Sequence, residues 1–511
     1  MLQPELIVYN GNLITLDRRR PRASAMAIGG ERILDVGNDE QILRLATGDT
    51  QRLDLNGQTV TPGFIDSHIH LYAYGEHLLR NADLVGCRDI DEILSRLSEL
   101  ARRSEGWIQG HGFDQDKLAE RRFPTRQDLD RVSRHRPIII SRICGHAVVV
   151  NSAALAVVTP AERLAGDEDG GLYTENAVAA FYRRIPPLSE SQAEQAVLAA
   201  ARVALKTGIT SVQTLLDTPE QMAAYARLRR KGKLPIRVIG MPPYAAVEQL
   251  HRHGINSGFG DDWLRFGACK LFSDGSLGAR TALLAEPYHD QPDTRGLRIY
   301  PPDELKRMAR DAQLKGFGLA IHAIGDQAVR ETIDAIEFAL AGDSNEQHRH
   351  RIEHASVCPP DCIQRMAAMK IVVTCQPQFV TSDTWTSQRL GPARSPWAYP
   401  FATMRASGVP IALSSDCPVE KLDAFACLHS AIARHEWSPG ETLLPEQAIA
   451  AYCLGSAYAA HVEDRVGSLE PGKLADFVVL SGDPTRLPAE QIPSLRAVRV
   501  FVAGRAVPQP P

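Results

Sequence analysis

Two histidines stand two apart in TPGFIDSHIHL, at His68 and His70. In a strand, residues i and i+2 share a face, so a short apolar strand over 63–67 delivers both imidazoles to one spot. Such a pair is either a polar couple in a core or half of a metal site, and spacing alone does not choose. Other short apolar runs also end in polar residues: Lys270 in LRFGACKLF, His322 in GFGLAIHAIGD, His354 in HRIEHA and Asp416 in VPIALSSDCPV. Four imidazoles and a carboxylate suit divalent zinc or a similar borderline ion. Lysine is the odd member, because an ammonium repels cations. Burial lowers its pKa, however, and a neutral amine can add carbon dioxide to become a carbamate, which carries a carboxylate. The expectation is a binuclear centre: His68, His70 and Asp416 on one ion, His322 and His354 on the other, carbamylated Lys270 between them. A single ion with unmodified Lys270 is the alternative. Singly, each residue has a plainer explanation: a salt-bridged lysine, hydrogen-bonded core histidines, an aspartate capping a turn. Jointly those explanations require chance polar residues at five separate strand ends.

The elements that must position these residues follow from the pattern. The middle of the chain alternates short apolar runs with helical stretches, the signature of βα units and a parallel sheet. Strands are expected at about 62–67, 208–215, 235–241, 264–272, 316–322, 350–354, 370–375 and 409–415. Eight is the number a closed (β/α)8 barrel needs, and chemistry in that fold gathers at the C-terminal strand ends. More than a hundred residues separate the first two strands, too many for one βα connection. Residues of about 72–188 are therefore expected to form an insertion. Both chain ends are β-rich, as in LIVYNGNLITL and AVRVFVAGRAV. The domain reading is thus 1–60 with 464–511 as a small composite β-sandwich, and 61–463 as the barrel with its insertion. Ser191 and Glu194 are expected to box the start of one helix.

Around the expected centre, Asp274–Gly278 is either a pocket wall or an ordinary turn. His111, Asp114 and His146 in the insertion, with Asp274, are candidate substrate contacts. Trp385, Trp397 and Tyr399 are candidates for an apolar wall or for simple packing. His251, His253, His289, His429, His435 and His461 fall outside strand ends and are expected to be structural, as are His348 and His350, which precede a strand and are expected to be solvated.

The bulk numbers set limits. The chain has 511 residues, 44% of them hydrophobic, and a net charge of −4 with acids and bases well mixed. No basic stripe suggests nucleic acid or a membrane surface as partner. Nine scattered cysteines and an N-terminus without a secretory pattern fit a reduced, cytoplasmic setting. Cys358 and Cys362 in CPPDC have no second pair to complete a metal site, and the prolines suggest a helix start.

Taken together, TPGFIDSHIHL, CKLFSDGSLGARTA, LAIHAIGDQA, RIEHA, LSSDCPV and the closing GSLEPGKLADFVVL resemble the metal-dependent amidohydrolase superfamily, in particular amidohydrolase family 3. The insertion, with GHGFDQ and RICGHAVVVNSAAL, resembles that subgroup too, so the likeness covers nearly the whole chain. It implies paired histidines at His68 and His70, a carboxylated lysine at Lys270, later histidines at His322 and His354, and a catalytic aspartate at Asp416. It also implies the barrel and the composite sandwich. Activities in the subgroup include deformylation of N-substituted formamides.

The expected reaction is hydrolysis of an amide-type C–N bond in an N-acyl or N-formyl amine. Metal-activated hydroxide would attack, and Asp416 would shuttle the proton to the leaving nitrogen. Expected partners are a small-molecule substrate and, for a homo-oligomer, a second copy in a dimer. An esterase or lactonase on the same centre is one alternative. A non-catalytic, metal-binding regulatory protein on a hydrolase scaffold is another.

Overall fold

The computed structural model describes residues 3–142, 147–159, 167–174, 177–341, 347–434 and 438–508. The chain divides into two compact units, one of Met1–Leu71 with Ala201–Pro511 and one of Tyr72–Ala200.

Among the described residues of the larger unit, nine parallel strands form two sheets. The first holds β1 (Phe64–Ile69), β2 (Ile209–Leu215), β3 (Arg237–Met241) and β4 (Leu264–Phe266), paired in that order. The second holds β5 (Cys269–Phe272), β6 (Leu319–Ala323), β7 (Arg351–His354), β8 (Val372–Cys375) and β9 (Ile411–Leu413). Backbone bonds join their edges. Lys270 N–H donates to Pro242 C=O at 2.8 Å, and Asp416 N–H to His68 C=O at 2.9 Å. β1, β2 and β3 are buried along their whole length, polar residues included, as in parallel sheets covered on both faces.

Two boundaries differ from expectation for identifiable reasons. The run at 62–67 is two strands, Thr59–Pro62 and β1, with Gly63 between them. A Cβ on Gly63 would lie 2.1 Å from Thr210 Oγ1, so the chain passes there only without a side chain. The run at 264–272 is interrupted at Gly267-Ala268, giving β4 and β5. The helix Glu190–Lys206 starts before the expected box; Ser189 and Gln192 make the reciprocal contacts, at 3.3 and 3.0 Å. Pro360 opens the helix Pro360–Ala368, and Cys358 and Cys362 are free and buried.

The chain termini share a six-stranded sheet, ordered Arg505–Ala506, Ala497–Val502, Phe477–Leu480, Thr59–Pro62, Asn12–Ile14, Arg22–Ala23. A four-stranded sheet of Arg32–Gly37, Ala25–Gly29, Leu6–Tyr9 and Gln51–Asp54 packs with it around Val8, Leu13, Met26, Val60, Phe477 and Phe501.

The smaller unit has its own five-stranded sheet, Leu172–Thr174, Ala147–Val150, Ile138–Arg142, Ile108–Phe113 and Asn81–Asp83 in order. Helix Ile90–Arg103 buries Ile90, Ile93, Leu94, Leu97 and Leu100, the i, i+3, i+4 stripe of an amphipathic helix, in one core with Ile108, Ile138 and Ile140. No helix among the described residues is long and apolar enough to cross a membrane.

Candidate metal centre

A cavity of about 340 Å³ lies where the parallel strands end, and His68, His70, Lys270, His322, His354 and Asp416 all line it. His68 and His70 come from the end of β1, Lys270 from β5, His322 from β6, His354 from β7 and Asp416 from just past β9. Asp416 Oδ1 lies 3.4 Å from His68 Nε2 and 3.4 Å from His70 Nε2. One donor atom from each of these three residues falls within 4.8 Å of the others. The His322 and His354 rings are 4.5 Å apart, and His354 is 5.1 Å from His68.

Hydrogen bonds behind the imidazoles set which nitrogen faces the cavity. His68 Nδ1 meets the buried carboxylate of Glu353. His354 Nδ1 donates to Gln376 Oε1 at 2.8 Å, while the amide nitrogen of Gln376 donates to Ser414 Oγ at 2.9 Å and Thr374 C=O at 3.2 Å. Each arrangement puts the ring proton on Nδ1 and leaves the Nε2 lone pair for the cavity, as partners behind metal-bound histidines do. In His322 the roles are reversed: Nε2 donates to Gly275 C=O at 3.0 Å, leaving Nδ1 as the lone-pair nitrogen. Arg351, fully buried, pairs with Glu353 at 2.6 Å and donates to Ser67 C=O at 2.9 Å, so the Glu353 charge is balanced.

Burial, with Lys270 nearby, pushes the pKa values of His68, His322 and His354 well below the ordinary imidazole range, so the rings are neutral. Burial also opposes ionisation of Asp416, but His68, His70 and Lys270 outweigh it and hold its carboxyl below the usual range. Lys270 is pushed down to about 8 by burial, against the pull of Glu353 and Asp416.

Two non-glycine residues of the site, His354 (φ 77°) and Asp416 (φ 57°), take the left-handed backbone region. Such strain persists where surrounding contacts over-determine it, and it clusters at functional sites. Asp66 supplies part of that restraint at Asp416. It is fully buried, accepts the Ser415 N–H at 3.1 Å, and is pushed up to about 7 by burial.

The donor set fits a divalent ion on one direct observation: Lys270 Nζ is buried without a hydrogen-bond partner among neutral imidazoles and a carboxylate. An unpaired buried ammonium is costly.

The remaining candidates separate. Ser276, Leu277 and Gly278 line the cavity; Asp274 does not, but its Oδ1 lies 3.4 Å from His322 Nε2. The Asp274 carboxylate accepts N–H bonds from Leu283 (2.9 Å), Ile324 (3.0 Å) and Gly325 (2.8 Å), which anchors the loop. Trp385 and Tyr399 line the cavity, and Tyr399 O–H donates to Asp383 at 2.6 Å; Trp397 is outside that lining. In the smaller unit, His111 Nδ1 lies 2.6 Å from Ser141 Oγ, and Asp114 pairs with Arg142 at 3.2 Å. His146 lies outside the described residues. Sequence reasoning missed Glu353, Gln376 and Asp66. Two carry a local signal: Glu353 directly precedes His354, and Asp66 stands two before His68.

Residues 51–508 match the profile of the amidohydrolase family. The chain belongs to that family. This amidohydrolase is 33% identical to the putative amidohydrolase YtcJ of Bacillus subtilis (strain 168), over 98% of this chain and 99% of that one. It is 28% identical to the N-substituted formamide deformylase of Arthrobacter pascens, over 98% and 97%. Among solved structures, an uncharacterized metal-dependent hydrolase from Pyrococcus furiosus is 33% identical, with a TM-score of 0.83, covering 94% of this chain and 100% of that one. The amidohydrolase is, at that level, a metal-dependent hydrolase.

Proposed function

We propose that the chain hydrolyses an amide-type C–N bond in an N-formyl or N-acyl amine. The observation that carries this reading is Asp416 Oδ1 standing 3.4 Å from both His68 Nε2 and His70 Nε2, beside an unpartnered Lys270 Nζ. His68, His70 and Asp416 would hold one divalent ion, zinc by donor chemistry, and His322 and His354 a second. Lys270 would bridge them after its neutral amine adds carbon dioxide and releases a proton, becoming a carbamate. Such ions lower the pKa of water and polarise a carbonyl oxygen. Asp416, ionised and aimed at the cavity, takes the proton of the attacking water and passes it to the leaving nitrogen, which departs as a neutral amine. Glu353 and Gln376 keep the His68 and His354 rings in register. Phe272, Leu277, Phe379 and Trp385 give the cavity an apolar wall for the substituent on nitrogen or on the acyl carbon. The parallel strands, joined at both edges, are read as one (β/α)8 barrel, with the terminal sheets as its composite sandwich and the smaller unit as its insertion.

The test is a panel of N-formyl and N-acyl amines against esters of the same acyl groups, assayed with zinc-loaded protein. Faster turnover of the amides at equal metal content is expected. Turnover confined to esters or lactones would replace this reading, and none with either would remove it.

A further inference from the structure

A second cavity, of about 430 Å³, lies where the strands begin. Gly318 directly precedes β6 and His350 directly precedes β7, and both line it together with Arg265 of β4. It shares no lining residue with the candidate metal centre. His350 is only 3% exposed. Its Nδ1 accepts the backbone N–H of Leu319 at 3.2 Å, which places the ring proton on Nε2. Burial, with the His348 and His461 imidazoles nearby, holds this ring neutral, its pKa pushed down to about 3. Nε2 is thus a fixed N–H donor, and it has no hydrogen-bond partner among the described residues. A buried donor left in that state calls for an acceptor.

The charges around it are one-sided. Arg265 and Arg349 line the cavity, and among the described residues no aspartate or glutamate does. The acids near Arg265 are engaged elsewhere: Asp261 with Arg229 at 2.8 Å, Asp262 with Arg465 and, at 3.7 Å, Arg32, and Asp464 with Arg465 at 4.0 Å. Arg349 pairs with Glu463 at 3.3 Å, but Arg265 forms no ion pair among the described residues, and its Nε has no partner. A free guanidinium and an oriented N–H match the oxygens of an anion and offer nothing to a cation.

We propose that this cavity is a binding site for a small oxyanion, carrying a carboxylate or phosphate group, with His350 Nε2–H and the Arg265 guanidinium as its donors. Binding is read without turnover, so it stands or falls apart from the hydrolase reading. Titration calorimetry of the metal-loaded protein with inorganic phosphate, and separately with acetate, distinguishes the two anions. Saturable binding of at least one is expected, weakened about tenfold or more in Arg265→Met and in His350→Phe. Superimposable isotherms for wild type and Arg265→Met would put the anion elsewhere, for example at the metal ions, and overturn the proposal. No binding of either anion would overturn it too. Should Arg265→Met fail to fold, Arg265→Lys keeps the charge and loses the fork, and an intermediate weakening is expected. A phosphate-soaked crystal checks the place: density beside His350 Nε2 and Arg265 supports the site, and density only elsewhere rejects it.

Discussion

Arg237 opens β3 and Lys270 lies near the end of β5, and these two buried cations have opposite surroundings. The Arg237 guanidinium meets both carboxylate oxygens of Asp476, at 2.6 and 2.9 Å, and donates to Asp262 C=O at 2.9 Å. Asp476 also accepts the Ala503 N–H at 2.8 Å, so the pair is closed on both sides. Lys270 Nζ has imidazoles and Asp416 about it and no hydrogen bond among the described residues. A closed pair ties one strand to the C-terminal sheet and has nothing left to offer a ligand. An open cation in a cavity stores the cost of burial until something arrives to complete it. The contrast separates a charge whose partners are complete within the fold from charges that remain open to a ligand.

Breaking the open cluster is expected to have the largest effect. Asp416→Asn should lower kcat by about 10²–10⁴-fold, the usual worth of a positioned proton carrier, with metal content largely kept. Wild-type turnover in that variant would mean the proton travels by another route. Next comes the closed pair. Asp476→Ala leaves Arg237 buried and alone and should cost about 3–5 kcal/mol in chemical denaturation, while metal content measured by atomic emission stays unchanged. Loss of metal there would blur the distinction between the two regions. A smaller effect is expected from Glu353→Gln, which weakens the support behind His68 and should reduce metal affinity about 10–100-fold in chelator competition. Equal retention of metal by variant and wild type would make Glu353 a partner of Arg351 alone.

The smallest effect sharpens the comparison on the cavity wall. Burial pushes the Asp383 carboxyl up to about 6 from 3.8. The folded chain therefore keeps a proton that the unfolded chain releases, and this contribution is complete below about 3.8 and lost as pH rises through about 6. Asp383→Asn preserves an acceptor for Tyr399 O–H and removes the titration. Wild type should lose stability relative to the variant between pH 4 and 6, and parallel stability curves would sink the assignment.

The candidate ligands were legible because each is a polar residue ending an apolar run, a pattern contained in a few consecutive residues. The residues behind them were not. Glu353 adjoins His354 in RIEHA, but nothing there shows that it meets His68, 285 positions away. Gln376 follows β8 with no local sign that it will orient His354. His350 was expected to be a solvated, structural residue but is buried, and only the Leu319 N–H on one side of the ring shows that its other nitrogen is an unpaired donor among the described residues. Asp274, two residues past the Lys270 strand in a glycine-bearing loop, has its oxygens taken up by backbone N–H groups from two later segments, with His322 Nε2 3.4 Å away, and no local pattern announces those partners.

By itself, the sequence determined where strands stop and which donor types stand at their ends, because alternation, turn residues and side-chain chemistry are local properties. It also carried the family likeness that residues 51–508 bear out. Only the tertiary structure decided which nitrogen of each imidazole faces the cavity, which charges are closed and which remain open. Those outcomes depend on hydrogen bonds between strands hundreds of residues apart, and no local pattern encodes the partner that arrives from the far side of a sheet.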